Sequence, residues 1–84
     1  GDYDLMLSGA QDSLSDYGEV SVTDDIGQKS FEFVGDPYGI QTVEVGFLDS
    51  TGTYAVLVTT TLDFADLQAT REIAATIDAN IGAL

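Results

Sequence analysis

The chain has 84 residues, 15 acidic side chains against two basic ones, and no histidine, for a formal net charge of −13. One domain fits this length, and an apolar share of 44% with four Tyr and four Phe is too high for intrinsic disorder. Without His or Cys there is no histidine general base, cysteine nucleophile, Cys/His zinc site or disulfide, and Lys29 and Arg71 alone make no nucleic-acid-binding face.

Tyr3, Met6 or Leu7, Ala10, Leu14 and Tyr17 recur at spacings of three and four, which predicts an amphipathic helix. Asp2 or Asp4 suits its start, where acids complement the helix dipole, and Gly18 is the natural stop. From Glu19 the period changes to two, so Glu19–Thr23 reads as a half-buried strand. A turn over Asp24–Gln28 leads to a second strand, Lys29–Val34. Gly35-Asp36-Pro37-Tyr38-Gly39 is a second turn, with proline presetting φ. Ile40–Leu48 is the third strand, Asp49–Gly52 a hairpin loop, and Thr53 to about Leu62 the fourth strand. Asp63 then caps a final helix, with Asp66 completing an aspartate version of the capping box. Phe64, Leu67, Thr70, Ala74, Ile77, Ile81 and Leu84 form its stripe, Ile73 lies on the flank, and Gly82 ends it.

Three registers bring the apolar residues to one sheet face. They are Val22 against Phe31, Val34 against Ile40 with Phe31 facing Val43, and Leu48 against Thr53 with Val45 facing Val56. The predicted fold class is α+β in the order α-β-β-β-β-α, a four-stranded antiparallel meander with both helices packed on one face, a two-layer sandwich. Residues 1–84 form one small domain, read as an excerpt of a longer protein. No transmembrane segment is visible, so the segment is not expected to insert in a membrane.

Thirteen like charges oppose folding. A sphere of roughly 15 Å carries about 6 kcal/mol more self-repulsion than the unfolded coil at physiological salt, about 10 at 10 mM and about 3 at 1 M. Eleven of the acids are Asp and four are Glu, and there is a single Lys. This choice of short, densely hydrated carboxylates resembles the composition of extreme halophiles, particularly haloarchaea. The resemblance covers the whole chain and implies an acidic surface for solubility in high salt. The expected location is extracytoplasmic or associated with the cell envelope, with a salt-accumulating cytoplasm, which demands the same acidic surface, as the alternative.

No catalytic constellation assembles, and no cofactor or metal site is expected. Asp24-Asp25 resembles half of a hard-cation site, but aspartate also favours turns. Asp49-Ser50-Thr51-Gly52 has one acid of a calcium loop and lacks the others. Asp63 and Asp66 are explained by capping. Glu19, Glu32 and Glu44 are expected to project together from the outer sheet face. Arg71 is assigned to local ion pairs with Glu72 and Asp78, and Lys29 to the Asp24-Asp25 turn. The candidate interaction face is the apolar part of that outer face: Val34, Ile40, Leu48, Ala55 and Leu57. The expected function is a non-enzymatic interaction or structural domain, whose partner is a second copy or another protein, not nucleic acid. An acidic DNA-mimic or enzyme inhibitor is the alternative, and a carboxylate-based metal or ligand-binding module the third.

Overall fold

Period-two patterning in the middle of the chain and helical patterning at its ends produce six elements in the computed structural model, which describes residues 1–84. They are α1 (Asp2–Leu14), β1 (Gly18–Thr23), β2 (Lys29–Gly35), β3 (Thr42–Leu48), β4 (Ala55–Thr61) and α2 (Leu67–Gly82). Short 3₁₀ turns at Pro37–Gly39 and Leu62–Phe64 flank β3 and β4. The strands lie in the sheet in chain order, each antiparallel to the next. The α+β class, the element order and the antiparallel meander are those predicted.

The registers decide the layering. β1 and β2 pair as expected, with Val22 opposite Phe31 and Val20 opposite Phe33. β3 and β4 are shifted by two residues from expectation, so that Val45 meets Val58 and Phe47 meets Val56. An even shift leaves every side chain on its face. β2 and β3 are shifted by three, with Val34 opposite Val43 and Phe31 opposite Gly46. An odd shift exchanges the faces. Two local causes act together. The connection from Asp36 to Gln41 takes six residues, because a 3₁₀ turn closes Gly39 N–H on the Asp36 carbonyl and Ile40 N–H on that of Pro37. And Gly46 lies under the Phe31 ring, where a Cβ would stand 2.3 Å from a ring carbon.

One sheet face therefore carries Val20, Phe31, Phe33, Leu48 and Ala55, and the other Val45, Phe47, Val56 and Val58. α1 covers the first, packing Tyr3, Met6, Leu7, Ala10 and Leu14 around Phe31. α2 covers the second, packing Leu67, Ala74 and Ile77 against Val45 and Phe47, with Ile26 closing the end. The expectation that both helices share one face is corrected: the sheet lies between them, in three layers. Four consecutive β2 residues, Ser30 to Phe33, are buried, which is possible only when both faces are covered. Each fully buried Phe contributes about 2–3 kcal/mol of hydrophobic stabilisation, and Phe31, Phe33 and Phe47 are all fully buried.

The element ends also depart from the pattern. α1 stops at Leu14, and Tyr17 N–H closes a turn on the Leu14 carbonyl. The Tyr17 ring then stacks on Tyr38, centroids 5.4 Å apart, instead of joining the helix stripe. β3 begins two residues after Ile40, and β4 two residues after Thr53. The cap of α2 is Asp66, whose carboxylate accepts from Ala69 N–H at 3.1 Å, and not Asp63. A 3₁₀ turn intervenes because Leu62 N–H is committed to the Gln41 carbonyl, prolonging the strand pairing. Phe64 and Leu84 consequently leave the predicted stripe and are exposed.

Candidate functional site

The five residues of the predicted interaction face are not brought together. Leu48 and Ala55 lie under α1, packed against the Phe31 cluster. Leu57 lies on the same sheet face and remains 45% exposed. Val34 points to the opposite face, and Ile40 sits in the connection before β3. Both are exposed. Ala55 and Leu57, alone among the five, share a strand whose outer edge is open, since β4 ends the sheet.

The three glutamates expected on one outer face are divided in the same way. Glu44 shares the α1 face with Phe33, whereas Glu19 and Glu32 share the α2 face. Burial pushes the Glu44 carboxyl above its ordinary range. Glu32 is buried and receives two hydrogen bonds from Arg71, Nε at 2.6 Å and a terminal guanidinium nitrogen at 2.7 Å. Arg71 thus joins α2 to the middle of the sheet across 39 positions, in place of the local pairs with Glu72 and Asp78. The bond to Glu32 holds the guanidinium above its usual value, against the opposing effect of desolvation.

Lys29 reaches α1 and not the Asp24-Asp25 turn. Its Nζ is 3.4 Å from an Asp4 carboxylate oxygen and 5.0 Å from the centre of the Tyr3 ring. These residues border a shallow cleft of about 290 Å³ at the start of α1, beside Thr53 and Ala55. The Tyr3 hydroxyl is buried below it without a hydrogen-bond partner, and burial raises its pKa.

Asp49 is the most densely bonded side chain in the molecule. It is fully buried. One carboxylate oxygen accepts from the N–H groups of Thr53 at 2.8 Å and Tyr54 at 2.6 Å. The other accepts from Thr51 N–H at 3.0 Å and from the Thr51 hydroxyl. Burial alone would raise its pKa, but the Thr51 hydroxyl and the N–H groups of Tyr54, Thr51 and Thr53 outweigh it and hold the carboxyl below the usual range. Ser50 then bonds the Asp78 carboxylate through its N–H at 2.7 Å and its hydroxyl at 2.6 Å, tying this loop to α2. The loop that resembles a fragment of a calcium site is thus a backbone-organising aspartate turn, with both oxygens already occupied by donors. An aspartate followed by Thr, Gly and Thr within four residues is the signal in the sequence for this role.

No three His, Cys, Asp or Glu side chains converge as a metal-binding group would require. No helix is long and apolar enough to cross a membrane. Comparison with protein-family models, curated proteins and solved structures gives no match to this chain.

Proposed function

We propose that this chain is a non-enzymatic interaction or structural domain with an acidic shell adapted to concentrated salt, of the kind extreme halophiles use. The distribution of charge carries this reading. Eleven of the 15 acids are exposed, on α1, on α2, at the outer strand β1 and in turns at both ends of the sheet. The accessible surface is 4905 Å², about 380 Å² for each net charge. A DNA mimic or an inhibitor of a basic enzyme concentrates its carboxylates on one face. Here they surround the molecule, which favours a role toward the solvent over a role toward one basic partner. The two buried carboxylates are engaged in structure: Glu32 with Arg71, and Asp49 with its own loop. The hydroxyls that meet carboxylates, Thr51 on Asp49 and Ser50 on Asp78, organise the loop and tie it to α2, which favours an interaction role over a catalytic one.

Thermal unfolding across KCl concentration tests it. A radius of gyration of 12.2 Å corresponds to a uniform sphere of about 16 Å. For that sphere the electrostatic cost of folding falls by about 8 kcal/mol between roughly 10 mM and 3 M salt. The melting temperature is expected to climb steeply with KCl. A melting temperature independent of salt would sink the reading.

A further inference from the structure

The sheet has two open edges, and they are built differently. The outer edge of β1 carries Glu19 and is flanked by Asp16, Asp24 and Asp25. These charges are the usual protection of an edge against pairing with another strand. β4 carries no charged residue of its own, and the one exposed acid flanking it in the chain is Asp63, two residues past Thr61. From Ser50 to Leu62 the chain has no charged residue, the longest such interval in a sequence with 17 charges. β4 itself is Ala-Val-Leu-Val-Thr-Thr-Thr, with no proline and a regular ladder to β3.

The hydrogen bonds show which groups of this edge are free. Leu62 N–H bonds the Gln41 carbonyl, and the Tyr54 carbonyl accepts from Asp49 N–H. Even-numbered residues of this segment therefore direct their backbone groups inward to β3. By the alternation of an antiparallel ladder, Ala55, Leu57, Thr59 and Thr61 direct theirs outward. Above this edge lies one flank of α2. Arg71 reaches Glu32 on β2, so the opposite flank of the helix, with Ala69, Ile73 and Thr76 and bordered by Glu72, lies on the β4 side. Ile73 is 45% exposed there.

We propose that the β4 edge is the surface on which two copies of this chain associate, by antiparallel β4–β4 pairing into one continuous eight-stranded sheet. The proposal rests on the reading of the chain as an interaction domain and names the partner. Charge permits that partner once salt screens it: the Ser50–Leu62 segment itself carries no charge, and carboxylates lie near it at Asp2 and Asp4 beside Ala55 and at Glu72 on the helix flank, so two copies of net charge −13 can meet closely along this segment in concentrated salt. The edge is also self-complementary. A two-fold axis through Val58 sets Leu57 opposite Thr59 and Ala55 opposite Thr61, in each direction. All the outward N–H and C=O groups are then paired, with about eight intermolecular hydrogen bonds. The same axis brings the two Ile73 flanks together on the α2 side.

Sedimentation and amide exchange on the whole chain at about 2 M KCl, where repulsion is screened, test this. The expected result is a species of twice the 8.9 kDa chain mass, dissociating as salt is lowered. In it the amides of Ala55, Leu57, Thr59 and Thr61 become protected as protein concentration rises. Leu57→Glu and Thr59→Pro are each expected to weaken the dimer by about 30-fold or more, while Val22→Glu on the opposite edge leaves it intact. Thr59→Pro removes only an outward N–H, so its monomer keeps the ladder to β3, and a retained thermal transition verifies that it folds. A chain that stays monomeric at millimolar concentration overturns the proposal and leaves the edge to a strand of another protein. So does a dimer in which these four amides exchange freely. Either failure leaves the salt dependence of folding, and the reading built on it, untouched.

Discussion

Replacing Gly46 with alanine tests the register that separates the two faces. A Cβ at this position would stand 2.3, 2.5 and 3.0 Å from Cε1, Cζ and Cδ1 of Phe31. Carbon atoms rest at about 3.5–4.0 Å, so the ring would have to move by more than about 1 Å. It has no space to do so, being fully buried and set against the Tyr3 ring at a centroid distance of 6.0 Å. Overpacking of this kind costs about 1–3 kcal/mol. The loss of glycine's unfolded-state freedom offsets about 0.4–1 kcal/mol of that. The net expectation for Gly46→Ala is a destabilisation of about 1–2 kcal/mol. For a domain of this size that is a fall of about 10 °C in melting temperature. Thermal unfolding by circular dichroism in molar KCl measures it. Adding Phe31→Leu to Gly46→Ala should recover part of the loss, a coupling that identifies the two residues as neighbours. In the register expected from hydrophobic alignment, Gly46 lies on a solvent face and the same substitution stabilises. An unchanged or raised melting temperature would therefore refute the assigned pairing, and with it the placement of the helices on opposite faces.

Arg71→Met is expected to lower stability more than the double substitution Glu32→Leu with Arg71→Met, because the single variant leaves a buried carboxylate without a partner; urea titrations at fixed high salt rank the two. Glu44→Gln should raise the melting temperature at neutral pH, since burial disfavours the charged carboxylate. For a carboxyl whose folded pKa is raised, the wild type regains that stability as pH falls through the folded value, so the advantage of Gln should vanish in acid. Asp49 has the opposite sign. Its folded pKa is depressed, so its contribution is complete above the ordinary aspartate range and is lost as pH falls through the folded value. Asp49→Asn is expected to lower the melting temperature at neutral pH and to release the amides of Thr51, Thr53 and Tyr54 to exchange, with the difference from wild type shrinking as pH falls below the ordinary aspartate range.

The elements were legible because their signals are local. A change of period from 3.6 to 2 at Glu19, turn residues at Pro37 and Gly39, and aspartates at the head of the last helix are written in neighbouring positions. The pairing of β1 with β2 was legible too, since both alternate strictly and the residues between them do not disturb the count. The layering was not, because it depends on the parity of one loop. Ile40 extends the apolar pattern of β3 in the sequence, yet the backbone spends it in the connection, and three residues of slip exchange Phe31 and Phe33 for Ser30 and Glu32 on the face of Val45. Glycine at position 46 was the available clue: a strand glycine marks a close approach, here of an aromatic ring from the next strand. The long-range pairs were hidden for a similar reason. Glu32 finds Arg71 only after the sheet and α2 are assembled, and nothing in the spacing of the two predicts it. Asp49 was readable as a turn residue, but its burial follows from the six-residue loop it organises.

The placement of α1 and α2 on opposite sides of the sheet means that no single hydrophobic interior holds the chain together. Phe31 and its neighbours form one interior, and Val45 and Phe47 another, with the β2–β3 ladder as the partition between them. Either helix can lift from its side while the sheet still shelters the other interior. Loss of α1 would bare the Phe31 side and leave the α2 side closed, whereas a break in the β2–β3 ladder would open both at once. The partition is thus the one part of the molecule whose failure is necessarily global, and the helices are separately detachable covers.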